Sequence, residues 1–502
     1  MKDEPKPSLR GWAFYAAYGV LICVAVSSLL FLGAKKVCGQ CPTMTTAKLS
    51  AFDLSSEDQA GIAVGVSGEY AIVGAHADDP KGTDSGSAYV HRWNGTTWSE
   101  QQKLVAADGG AFDFFGSAVA ISTAVAIVSS PYDDDKGADA GALYVYRRTG
   151  TSPFAWTPEQ KLVASDGQAG DNLGWSIATD GTTIVAGAYG DDDRGNYAGA
   201  AYVWRYNGTT WVQETKLFAA DASASEFFGI GVGVSGDAII AGAYLDDFEA
   251  PPAITKTNAG AAYVFRRTTA GVWSQEAKLT ASDPAANDLF GWHVALEGPQ
   301  ALVGSRQSDA KGSESGSAYL FRLGASGWAQ EAKLTASDGA AFDNFGSSVA
   351  LSGSLALVGA YRWEDSPQSD AGAAYLYRRG PTGTWTEETR FKGPDGWFFD
   401  EFGTSVSMVG DVAVVGAWKH DTNGKTNAGA AYVFRGSCQP APPPECTTVA
   451  DCNDSNSCTA DSCLLGRCSH AAQAGACDDG NVCTINDVCT NGVCRGTPIT
   501  CP

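Results

Sequence analysis

The chain is poor in the residues by which catalysts are usually recognised. Only five of its 502 residues are histidine (His76, His91, His293, His420 and His470), and they share no spacing. It has no Gly-x-Ser-x-Gly elbow, no phosphate loop and no His-Glu-x-x-His pair, so no enzyme signature emerges. Basic residues are also in deficit: 34 Lys and Arg stand against 56 Asp and Glu, for a formal charge of −22. That balance argues against nucleic acid or anionic lipid as the main partner and is compatible with cations, basic partners or plain solubility. Methionine is scarce, and cysteine is absent between Cys41 and Cys438.

Glycine is abundant, with 60 residues, and Trp and Tyr are common. Many glycines with many aromatics indicate short strands joined by tight turns. One long apolar run, residues 12–34, carries no charge and exceeds the roughly 20 residues that span a bilayer. A Leu stands where a cleaved signal would want a small residue, which favours an uncleaved anchor over a cleaved leader. Eleven of the 14 cysteines fall between Cys438 and Cys501. With one His and no paired CxxC knuckles, that tail is a disulfide framework rather than a zinc site, and it belongs in an oxidising compartment. The expected layout is therefore a cytoplasmic N-terminus (1–11), a transmembrane signal-anchor (12–34), a short stalk (35–42) and then an exterior part.

Self-similarity organises the rest. A Lys-Leu or Arg-Phe landmark recurs seven times, starting at Lys48, Lys103, Lys161, Lys216, Lys278, Lys333 and Arg390. Each unit reads as four strands. The first follows a Phe-Gly pair, the second ends in Gly-Ala, the third alternates, as in AAYVFRR, and the fourth runs from a Trp to the next landmark. Four-stranded antiparallel units in tandem are the sequence form of a propeller blade. The fold class expected is all-β, a seven-bladed β-propeller over residues 43–436. A Pro-rich linker (437–445) and a cysteine-rich module (446–502) follow it.

Phe-Gly stands at Phe115-Gly116, Phe228-Gly229, Phe290-Gly291, Phe345-Gly346 and Phe402-Gly403, and softens to Leu173-Gly174 and Ala60-Gly61. Gly-Ala stands at Gly74, Gly187, Gly242, Gly359 and Gly416, and becomes Ser129-Ser130 and Gly304-Ser305. This signature resembles the FG-GAP repeat of integrin α-subunit propellers and their bacterial relatives. The resemblance implies non-catalytic binding or adhesion. The family's DxDxDGxxD calcium loop between strands one and two is missing; that connection is a tight turn here, so the site does not carry over. The tail's two four-cysteine units, Cys452, Cys458, Cys463, Cys468 and Cys477, Cys483, Cys489, Cys494, resemble cysteine-rich repeats of secreted proteins.

The acids recur with the blades. Five residues after each landmark stands an Asp: Asp53, Asp108, Asp166, Asp221, Asp283, Asp338 and Asp395. Ten residues after it stand Asp58, Asp113, Asp171, Glu226, Asp288, Asp343 and Asp400, and a third set (Asp79, Asp134, Asp192, Asp247, Asp309, Glu364, Asp421) follows strand two. All belong to the loops of one face. One reading is that they cap turns. The other is that paired carboxylates hold a hard cation such as calcium. The candidates for it are Asp108, Asp113, Asp133, Asp134, Asp135, Asp166, Asp171, Asp191, Asp192 and Asp193. The recurring Trp and Tyr read as packing between blades.

After the last third strand no fourth strand follows, while a surplus landmark precedes blade one. Thr43 to Ser50 is thus expected to close blade seven against Ala430 to Arg435. That brings Cys41 and Cys438 to one rim, where they would pair; Cys38–Cys438 and Cys38–Cys41 remain alternatives. The function expected is cell-surface binding of an extracellular protein or glycan. A structural envelope protein, or an extracellular hydrolase with its site at the propeller channel, are the alternatives.

Overall fold

A computed structural model of the chain describes residues 44–150, 154–250, 254–364, 369–396, 398–436, 456–464, 467–478, 484–490 and 493–498. The run at 12–34 and Cys41, Cys438, Cys452 and Cys483 lie outside these. Among the described residues no helix is long and apolar enough to cross a membrane.

Seven four-stranded antiparallel sheets follow one another along the chain. Blade one is typical: Ala63–Ser67, Tyr70–Ala75, Ser87–Trp93 and Trp98–Leu104. The second strand is buried along its whole length in every blade, as in Val412–Ala417. It is covered on both faces by neighbouring blades, so it reads as a continuous apolar run rather than an alternating one. The core is accordingly not one mass but seven clusters, each shared by two adjacent blades. First strands touch in succession around the ring, and the last, Val406–Val409, returns to Ala63–Ser67. Blade four is longest in sequence because a small hairpin, Phe248–Ala250 with Ile254–Lys256, is inserted between its second and third strands.

The expected closure is present. Met44–Leu49 pairs antiparallel with Ala430–Gly436, Met44 opposite Gly436 and Leu49 opposite Ala431. The N-terminal strand thereby covers the open edge of blade seven. In blades one to six the pairing of third and fourth strands carries a bulge, as between Val90 and His91. The closing pair carries none.

The Phe-Gly and Gly-Ala landmarks meet across blades. Gly116 donates its N–H to Ser129 within blade two (2.9 Å), while its carbonyl lies against Gly74 of blade one. A Cβ on Gly74 would collide with that oxygen, and the same holds for Gly242 on Gly291, Gly304 on Gly346, Gly359 on Gly403 and Gly416 on Gly61. In the C-terminal region, Thr459–Leu464 pairs with Arg467–Ala472 and Thr484–Thr490 with Val493–Pro498. Disulfides join Cys458 to Cys489, linking the two cysteine units, and Cys477 to Cys494. Cys463 and Cys468 face each other in strand register.

Two predictions follow from this packing. Gly416→Ala should cost about 3 kcal/mol, because the methyl meets backbone. Gly410→Ala, in an open turn at φ 58°, should cost only about 1 kcal/mol of left-handed strain; urea unfolding of both checks the order. The second concerns His91, fully buried in a strand where the other blades carry Tyr146, Trp204, Phe265, Phe321, Tyr377 and Phe434. Burial pushes its pKa down to about 4. The folded value lies below the unfolded one, so stability present at neutral pH is lost as pH falls from about 6.5 towards 4. His91→Phe should therefore lose about 2 kcal/mol less stability than the unaltered chain between pH 7 and pH 5.

Candidate functional site

The acids five residues after each landmark play closely similar parts in all seven blades. Six accept a hydrogen bond from the hydroxyl of a buried third-strand tyrosine, and in blade four that hydroxyl, of Tyr263, donates to Asp246. Asp108 accepts from Tyr144 at 2.9 Å and Asp166 from Tyr202 at 3.0 Å. Each also pairs with the lysine or arginine that ends the blade's fourth strand: Asp53 with Lys103 at 2.8 Å, Asp108 with Lys161 at 2.9 Å, Asp166 with Lys216 at 3.1 Å and Asp395 with Lys48 at 3.0 Å. Arg390 replaces lysine on Asp338. The loop entering each blade is thus strapped to that blade's third and fourth strands.

In blades two and three the strap gathers three carboxylates. Lys161 lies 2.8 Å from Asp133 and 2.6 Å from Asp135 as well as reaching Asp108; Lys216 lies 2.6 Å from both Asp191 and Asp193. Burial works against charge on Asp108 and Asp166, yet the hydrogen bonds and the ammonium hold both carboxyls below the usual range. Burial also opposes charge on Lys161 and Lys216, and the surrounding carboxylates outweigh it and raise both. The acids expected around a hard cation surround one that the chain itself supplies.

The other candidates serve the backbone. Asp113 accepts the N–H of Gly110 (2.7 Å) and Asp171 that of Gln168 (2.8 Å). Asp134 accepts from Asp139 (2.9 Å) and Asp192 from Tyr197 (2.6 Å), closing their loops. Burial raises Asp113 and pushes Asp171 up to about 6. Counting along the sequence found the acids and missed their partners: the landmark lysine was visible as a marker of strands, and the recurring tyrosine as packing between blades. In the tail, the sulfurs of Cys458, Cys477 and Cys494 come within 4.8 Å of one another. All three are bound in disulfides, so none is a thiolate that could hold zinc.

A second feature was legible in the sequence only as a channel, without its lining. The first strands and the same loops enclose a cavity of about 520 Å³ on the ring axis. Its walls include Phe114, Tyr132, Trp175, Trp292, Tyr361 and Trp418. Edge and face contacts run from Trp175 through Tyr189, Phe227 and Tyr244 to Trp292. These rings differ from the fourth-strand tryptophans, which do pack between blades: Trp211, Trp273, Trp328 and Trp385 each donate Nε1–H to a glutamate of the preceding blade. Two polar groups also meet in the cavity: His76 Nδ1 lies 3.3 Å from the Ser117 hydroxyl, and its Nε2 lies 2.6 Å from Gln59 Oε1.

Seven four-stranded blades, closed by the N-terminal strand around an aromatic-walled channel, define a repeat propeller. The FG-GAP repeat family matches the chain at residues 43–91, 98–146, 156–204, 211–265, 273–321, 328–377 and 385–434, and the chain belongs to that family. No significantly similar sequence was found among curated proteins. Among solved structures, Sqt1 of Saccharomyces cerevisiae aligns over 73% of this chain and 83% of its own, at 12% identity and a TM-score of 0.40.

The strap can be tested at Lys161. Lys161→Met leaves Asp133 buried without its ammonium and should cost about 2 kcal/mol, below the value for a fully buried pair because the lysine is partly exposed. Asp135→Asn, at the exposed rim, should cost under about 1 kcal/mol. Calcium should raise the Tm of Lys161→Met, whose carboxylates are uncovered, more than that of the unaltered chain. An equal rise in both would show that these loops hold an ion beside the lysine.

Proposed function

We propose that the chain is a non-catalytic recognition protein displayed outside the cell, and that it takes an extracellular protein or glycan at the mouth of the propeller channel. The observation that carries this is the cavity of about 520 Å³ with aromatic walls. Its size lies in the range of built ligand sites, and its mix of rings with a few polar groups is what such sites use. Rings of this kind suit a sugar or a protruding side chain. Membership of the FG-GAP family supports binding over chemistry, by analogy of fold. The disulfides support an oxidising compartment, and the apolar run at 12–34 supports an anchor.

A hydrolase is the second reading, favoured by the contact of His76 with Ser117. Two facts weigh against it. The Ser117 hydroxyl donates to the Phe114 carbonyl at 2.8 Å, and burial pushes His76 down to about 4, which makes it a weak base at neutral pH.

Glycan and protein arrays probed with the full-length chain and with Trp175→Ala test the proposal. Trp175 is 36% exposed, so its loss changes the mouth more than the core. The expected result is a ligand bound by the unaltered chain and weakened at least about tenfold by the substitution. A ligand bound equally by both would move the site elsewhere, and no ligand at all would favour a structural role. Labelling of Ser117 by a serine-reactive fluorophosphonate would favour the hydrolase.

A further inference from the structure

Two residues beyond the end-of-strand glycine, the chain enters the mouth. That position holds His76, Tyr189, Tyr244, Tyr361 and Trp418 in five blades. In blade two the ring comes one residue later, as Tyr132. Blade five breaks the pattern with Arg306. Its guanidinium carbon lies 3.5 Å from the centroid of the Trp292 ring, which fixes it against the cavity wall. The side chain lines the cavity, and its Nε is shielded from solvent without any acceptor. The cations of the straps and of the outer strands have carboxylates, as Lys161 has Asp133 and Arg267 has Glu214. Among the described residues Arg306 has none; Glu314 and Arg362 act on it only through space, with opposite signs.

The other charges at the mouth cancel. Glu401 accepts from Lys419 Nζ at 2.6 Å and from Trp418 Nε1 at 2.7 Å. His76 and His293 both line the cavity and are held neutral by burial, each pushed down to about 4. Among the described residues, the cavity therefore carries one uncompensated positive charge, inside a chain whose formal charge is −22. A half-buried guanidinium without a partner is a costly arrangement unless something completes it.

We infer that the channel mouth binds a compact organic anion, a carboxylate or sulfate carried on a ring, with Arg306 receiving the anionic group and the aromatic wall receiving the ring. The inference rests on reading the mouth as the ligand site and adds the class of ligand. Guanidinium offers two parallel N–H donors that match a carboxylate or sulfate edge. The volume admits a ring compound of one or two units, whether free or as the acidic residue of a glycan.

Tryptophan fluorescence of the full-length chain, titrated with glucuronate, benzoate, glucose and inorganic sulfate, tests this. Glucuronate should bind at least about tenfold more tightly than glucose, and both ring acids more tightly than sulfate. Arg306→Gln should remove the preference for acids, and Arg306→Lys should keep part of it, with Tm confirming that both variants fold. Equal binding of glucose and glucuronate, an unchanged Arg306→Gln, sulfate binding as well as the ring acids, or no acid bound at millimolar concentration would each overturn the inference. A neutral array ligand lost with Trp175→Ala would refute the anion and leave the mouth as the binding site. Acids bound through Arg306 with no array ligand would uphold the anion and refute the macromolecular partner.

Discussion

The ring depends on one backbone approach, repeated from blade to blade. The carbonyl of the glycine that opens a blade lies where the Cβ of the preceding blade's end-of-strand residue would be, as Gly116 lies on Gly74 and Gly61 on Gly416. No side chain fits between them, so the second strands end in the smallest residue and the blades meet main chain to main chain near the axis. Parallel bridges such as Gly86 with Phe115 and Gly316 with Phe345 extend the same seam outward. Where the glycine is replaced, at Ser129, the next blade's opening glycine, Gly174, gives the only added methylene its room. Larger side chains return farther from the axis, where the wedge between blades widens. There the phenylalanines pack against third-strand aromatics, as Phe228 does on Tyr263 and Phe265.

That seam explains why so acidic a chain can hold its acids on one face. Loops two–three and four–one both leave from the seam. Each blade ends its outer strand with a cation that reaches back to them, Lys103 to Asp53 and Asp78, Lys278 to Asp221 and Asp246. Other carboxylates accept backbone N–H groups that the loops would otherwise leave unpaired. A formal charge of −22 thus overstates the number of carboxylates free to take a ligand. The last blade shows the limits of the device. His420 stands where Asp78, Asp133, Asp191 and Asp246 stand elsewhere, bonded to Asp400 at 2.8 Å and lying 2.7 Å from Lys48.

Periodicity made the scaffold legible, because every blade repeats its apolar runs and turn residues in the same order. Even the closure could be read, from a missing final strand and a landmark too many. Contacts between landmarks were harder. Asp108 and Tyr144 are 36 residues apart and Asp108 and Lys161 are 53 apart, on different strands. Their recurrence looked like punctuation until the strands were placed side by side. The buried acids at Asp78 and Asp246 sit one residue before the set that the count singled out, and blades five to seven replace them with Ser308, Trp363 and His420. The channel mouth was illegible for the opposite reason. It takes between one and five residues from each blade, and no stretch of sequence holds more than a small part of it.

This difference between repeated and unrepeated positions locates recognition. A position identical in all seven blades presents the same group seven times around the axis, and a ligand without that symmetry gains no orientation from it. Asp53 and its six counterparts, with their tyrosines, are of this kind, and each is spent on holding its own blade. The residues beside the seam glycines are not. After the opening glycine come Ile62, Ser117, Trp175, Ile230, Trp292, Ser347 and Thr404; after the closing one come rings, a histidine and Arg306. The seam holds their backbones in register, and most of their side chains take no part in it, although the Ser347 hydroxyl donates to the carbonyl of the seam glycine Gly359. Substitution at an exposed position there, such as Trp175, alters the mouth more than the blades, so the geometry repeated in every blade carries side chains that differ from blade to blade.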